Sequence, residues 1–268
     1  LWDLYKPQIS TRALALNTGT IKDAAGNPGT LTLAAPGATN SLGANKALVV
    51  DTVVPTVASV SSSVSDGNFK IGDVLPVTVT FSEAVIVSGT PQLTLETGSS
   101  DAVVNYTSGS GSNTLIFNYT VLEGHTATDL DYSSTSALTL NNGTINDDGG
   151  SPATLTLAAP GATNSLGSSK ALVIDGVIPT ITSVTSTTND GTYKSGDVIA
   201  ITVSFSEVIN VVTSSGTPTL TLETGDNDAS VNYASGSGSN TLTFNYTIAD
   251  GQNSSDLDYV NTTSLALN

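Results

Sequence analysis

Apolar and polar residues alternate with a period of two through much of this 268-residue chain. In "VLPVTVTF", which starts at Val74, the side chains of Val77, Val79 and Phe81 share one face and the intervening threonines share the other. That is the pattern of a half-buried β-strand. "TLIFNYTV", from Thr114, repeats it with Leu115, Phe117 and Tyr119. "SGSGSN" between "AVVNYT" and "TLIFNYTV" predicts a hairpin connection, and "SDGN", "SGTP" and "DDGG" predict turns. Glu83 continues the parity of Phe81, so a carboxylate points toward the core side at a strand end. Burial there is costly unless a partner or a cation compensates it.

The pattern recurs. "LTLAAPGATNSLGANKALVVDTVVPT" from Leu31 returns nearly unchanged from Leu155, at an offset of 124 residues. After three inserted residues near "VVTSSGTP" the offset becomes 127, on which "LTLETG", "FNYT" and "DLDY" align. A period of that size is a whole domain, not one rung of a solenoid. Residues 1–50 read as the C-terminal part of a repeat, 51–174 as a complete repeat and 175–268 as the N-terminal three-quarters of a third. With roughly seven or eight short strands per unit, the expected class is all-β, tandem sandwiches of immunoglobulin type. The Cys…Trp…Cys spacing of antibody domains is absent, since the chain has no cysteine.

"DGNFKIGDVLPVTVTFSEAV", "GTIKDAAGN" and "SLGANKALVVD" resemble the bacterial Ig-like repeats of giant cell-surface proteins and adhesins. They resemble in particular a repeat class associated with a cyanobacterial cell-surface protein needed for swimming. The resemblance implies an extracellular, tandemly repeated β-sandwich with an adhesive or stalk role and no enzymatic activity.

Charge narrows the partners. Seven Lys and Arg against 23 Asp and Glu give a net charge of −16, which repels nucleic acid and anionic membrane surfaces. No run of 18 apolar residues predicts membrane insertion. Clustered carboxylates without cysteine instead suit a hard cation such as Ca2+, which takes six to eight oxygen ligands. The leading candidates are Glu83 and Glu207 at strand ends and Asp51 and Asp175 at the joints between repeats. Asp129 with Asp131, and Asp256 with Asp258, lie on one face of "DLDY" segments; Asp23 and Asp147 form a further matched pair. The EF-hand and glycine-rich nonapeptide patterns are both absent, so any site would be assembled from distant segments. The sole histidine, His125, has Gln252 as its counterpart, so a repeated catalytic function cannot rest on it.

The stiff, β-branched "KALVVDTVVPT" predicts a short joint, and hence a stalk or surface filament segment supporting adhesion or motility. Scarce aromatics argue against a carbohydrate-binding module, and the scattered "TLTL" segments against an ice-binding surface. A different organisation is also open. The 175–268 segment lacks the "GTIKDAAGN…KALVVD" portion that residues 1–50 carry, so self-association of copies head to tail through 1–50 and 175–268 would complete the third repeat by strand complementation.

Overall fold

The computed structural model describes residues 14–267. The opening stretch that departs from the repeat lies outside the described residues. The chain is nearly all β, and its strand pairs are predominantly antiparallel.

Residues 51–175, the stretch whose sequence reads as a complete repeat and is called so below, contribute β1 (Val57–Ser62), β2 (Gly67–Lys70), β3 (Val74–Ser88), β4 (Gln92–Leu95), β5 (Ala102–Ser108), β6 (Ser112–Thr120), β7 (Thr126–Ala127), β8 (Leu138–Thr139), β9 (Thr144–Asn146) and β10 (Leu172–Asp175). One sheet runs β1-β3-β6-β5-β4-β8, with β9 added to β3, and a smaller sheet runs β2-β10-β7. Side chains from both meet in one core, which gives the segment its sandwich-like character. The alternation that predicts the strands also sets the register. Val77 pairs with Phe117 and Val79 with Leu115, and all four are fully buried.

Two features differ from what the sequence predicts. "SDGN" is expected as a turn, yet Gly67 and Asn68 open β2. The reason is not local: β10 lies parallel to β2, Leu172 opposite Gly67 and Asp175 opposite Lys70. The repeated "SLGANK" and "SLGSSK" each form a single helical turn, α1 (Leu42–Asn45) and α2 (Leu166–Ser169). Each turn is capped by a serine, Ser41 or Ser165, whose hydroxyl accepts an N–H of that turn.

The third segment adds β11 (Ile181–Ser186), β12 (Val198–Ile209), β13 (Thr219–Glu223), β14 (Ala229–Ser235), β15 (Ser239–Thr247), β16 (Asp258–Tyr259) and β17 (Leu265–Ala266). Its sheet runs β11-β12-β15-β14-β13-β16, with β17 on β13, around a smaller second core. The pairings repeat those of the first sheet: Val203 faces Leu242 as Val79 faces Leu115. No helix of the described residues is long and apolar enough to cross a membrane.

Burial sets an alkaline limit on the complete repeat. Tyr119 and Tyr132 are each 1% exposed. Burial raises both phenols from 10.0 to about 12, and the charge of Asp131 adds to the effect at Tyr132. The unfolded chain therefore releases these protons first, so stability should fall as pH rises from 10.0 toward about 12. Phenolate absorbance and circular dichroism followed together should change in one step for these two side chains; phenolate appearing well before unfolding would contradict it.

Candidate cation site at the joint

Glu83 sits in the distal half of β3 and is half-buried, and its Oε1 is buried without a hydrogen-bond partner. Asp147 follows β9 in the "DDGG" turn and is only 3% exposed. Its Oδ1 accepts the N–H of Ser151 at 2.7 Å, which closes the turn, while Oδ2 is buried and unpartnered. Asp51 lies on the approach to the complete repeat, where its Oδ1 accepts the N–H of Val53 at 3.0 Å. Burial first, and then the negative charges of Asp51 and Asp147, push the Glu83 carboxyl above its ordinary range. Three acids from three separated stretches thus share one electrostatic neighbourhood at the joint.

They do not converge into a closed cage. Among the described residues, no group of three or more acidic or histidine side chains is arranged to hold a metal ion. The donor chemistry nevertheless fits a hard cation: two buried carboxylate oxygens lack any proton donor, which is costly for anionic groups out of water. Glu207 repeats the feature, with its Oε1 also buried and unpartnered. Asp175 repeats the Asp51 turn by accepting the N–H of Val177 at 3.2 Å.

The other candidates are occupied differently. A Cβ placed on Gly167 would stand 3.1 Å from Oδ2 of Asp131 and 3.5 Å from Oδ2 of Asp129, so the two carboxylates do approach one another over that glycine. Asp131, however, is served by protein donors, the N–H of Gly161 at 2.9 Å on Oδ2 and its neighbour Tyr132 on Oδ1. Asp258 keeps only the equivalent neighbour bond, from Tyr259, and Asp256 lies two residues before it. Asp23 is exposed and turned into its own loop. It accepts the N–H groups of Ala25 and Asn27 and the side-chain amide of Asn27, and these bonds lower its pKa, the Asn27 side chain most.

His125 is part of a turn. Its Nδ1 accepts the N–H of Leu122 at 3.3 Å and stands 3.0 Å from the hydroxyl of Tyr119. Gln252 does the same work with Oε1, accepting from Ala249 at 2.9 Å and from the hydroxyl of Tyr246 at 2.8 Å. An amide oxygen replaces the imidazole nitrogen with no change of role.

The joint itself is short. Gly176 donates its N–H to His125 and accepts the N–H of Gly124, while Thr180 exchanges hydrogen bonds with Ser206. Only Val177, Ile178 and Pro179 lie between these anchored residues. At the other end of the complete repeat, Pro55 accepts the N–H of Thr154 and Thr56 bridges to Thr154.

The chain matches no family model and no curated protein sequence.

Proposed function

We propose that this chain is a structural segment of a bacterial cell-surface protein, built of tandem Ig-like modules that act as an extracellular stalk or filament supporting adhesion or motility. The observation that carries this reading is the joint. Anchored hydrogen bonds on both sides of Val177, Ile178 and Pro179 leave little backbone freedom, and proline fixes one of the few remaining angles. A spacer that holds modules at a set distance needs such stiffness. The exchange of His125 for Gln252 in one and the same turn supports a role without catalysis. The sequence resemblance supports the extracellular setting.

Ca2+ belongs to this reading as the ion that quenches the joint acids. Glu83 and Asp147 would supply the first oxygens and Asp51 a third, with main-chain carbonyls and water completing the shell. The pH dependence has a definite sign. Without the ion, Glu83 holds its proton more tightly folded than unfolded, so its share of stability falls as pH rises above 4.5. With Ca2+ the fall should disappear.

The test is thermal melting in Ca2+ against EGTA at constant ionic strength. Free Ca2+ at about 100 times Kd should add about 2.7 kcal/mol per site. Glu83→Gln should melt higher than the unsubstituted chain in EGTA, because the amide removes a negative charge from the neighbourhood of Asp51 and Asp147. It should respond weakly to Ca2+. Equal melting temperatures with and without the ion would exclude the cation role, and flexible, bent particles in electron micrographs would exclude the stiff stalk.

A further inference from the structure

The third segment leaves a slot open. A cavity of about 640 Å³ runs past Val184, Ile201, Leu222, Tyr246 and Leu257. Their counterparts in the complete repeat, Val60, Val77, Leu95, Tyr119 and Leu130, are all at most 1% exposed. There the space is taken by α2 and β10, whose Leu166, Leu172 and Ile174 are 0%, 0% and 3% exposed. The backbone holds the same segment: Val60 donates to Asn164, and Leu130 to Leu172.

Without a counterpart of β10, the third segment is less regular than the complete repeat. Residues 191–194, which match β2, form no strand. β12 stops at Ile209, whereas β3 runs on to Ser88 to pair with β9. Val212 is 74% exposed beyond that stop.

Residues 18–51 carry the matching insert, and it is exposed. Leu42, Leu48 and Val50 correspond to Leu166, Leu172 and Ile174 but are 69%, 69% and 89% exposed. Ile21 and Leu33, exposed by about half, correspond to the buried Ile145 and Leu157. The local geometry is nonetheless already formed. Ser41 caps α1 as Ser165 caps α2, and a bridge joins Lys22 to Pro28 as another joins Asn146 to Pro152. The cap and the loop are therefore set before docking, while residues 48–51 and 191–194, which form no strand in the single chain, would order on insertion.

We propose that residues 18–51 of one copy of this chain insert into the slot of the 175–267 segment of a second copy. Leu48–Asp51 lies parallel to residues 191–194, as Leu172–Asp175 lies along Gly67–Lys70, and residues 20–22 extend the sheet beyond Ile209 as β9 does on β3. Both limits of the insert are set by the fold. β17 already fills the place on β13 that β8 holds on β4, so residues 14–17 have no vacant place on that strand. At the other limit Thr52 is the sequence counterpart of Gly176, where a Cβ would meet the main-chain oxygens of Leu122 and His125 at 2.3 and 2.6 Å, so the insert ends at Asp51. The contact is heterologous, and repetition gives a head-to-tail assembly. Insertion also brings Asp23 to the place beside Glu207 that Asp147 holds beside Glu83; this part rests on the cation role proposed for the joint acids.

Sedimentation velocity of the 268-residue chain over a range of concentrations tests the insertion. The average mass should rise with concentration to at least double the 27.0 kDa of one chain. The double variant Leu48→Asp, Val50→Asp should stay monomeric, and Val53→Asp, just past the insert, should assemble as the unsubstituted chain does. An added peptide of residues 18–51 should shorten the assemblies by occupying the slot. Leu48 and Val50 are exposed in the single chain, so the double variant should keep its melting transition, which separates lost assembly from lost folding. A monomer at every concentration, or assembly indifferent to the double variant, overturns the proposal. Equal assembly in Ca2+ and EGTA would remove only the part assigned to Asp23.

Discussion

Phe81→Ala should destabilise the complete repeat by roughly 3–5 kcal/mol, and Val79→Ala by about 2 kcal/mol or more, through lost burial and the cavity left behind. Phe81 and Val79 are 1% and 0% exposed, and both belong to the single core of the complete repeat. Thr78→Ala and Thr80→Ala, on the opposite face of the same strand, should each cost less than about 0.5 kcal/mol. Urea unfolding of the four variants measures this directly. Similar costs on both faces would mean that β3 is not buried as the structure has it.

The second large effect is expected at Gly176. A Cβ there would lie 2.3 Å from the carbonyl oxygen of Leu122 and 2.6 Å from that of His125, both main-chain atoms with no rotamer to change. Gly176→Ala must therefore push the 122–125 turn away and break the two hydrogen bonds Gly176 makes with it. Overpacking and two lost bonds together should cost roughly 2–4 kcal/mol. Limited proteolysis should then cut the variant between residues 175 and 180 faster than it cuts the unsubstituted chain. Unchanged resistance and an unchanged urea midpoint would show that the turn accommodates the methyl group.

The central strands are legible in the sequence because their instructions are local. Alternation alone assigns Val77, Val79, Phe81, Leu115, Phe117 and Tyr119 to the inside, and all six are buried. The same parity orients Glu83. The illegible features depend on distant partners. "SDGN" contains turn residues, yet Gly67 and Asn68 become strand only because β10, over a hundred residues later, lies beside them. Asp23 and Asp147 stand in closely similar local sequences, but one is exposed and bonded to its own loop while the other is 3% exposed with an unpartnered oxygen. Part of the difference is local, since Asn27 donates its side-chain amide to Oδ2 of Asp23 where the Asp147 loop has Ser151; the difference in burial lies in whether a strand is there to receive the segment, as β3 receives β9. The metal candidates suffer likewise. Position along the chain cannot tell Asp131, satisfied by the Gly161 N–H, from Glu83, whose buried Oε1 has no donor at all.

The parallel pairing of β10 with β2 has a mechanical consequence. Leu172 to Asp175 match Gly67 to Lys70 rung for rung, and the chain leaves β10 directly into the anchored Gly176. A pull applied through residue 176 along the strand would load those rungs together, in shear. It could not peel them open one after another, as it would a hairpin pulled from its free ends. Resistance to tension is then built into strand direction rather than into the number of bonds, and the module would yield abruptly at a high force instead of stretching gradually at a low one.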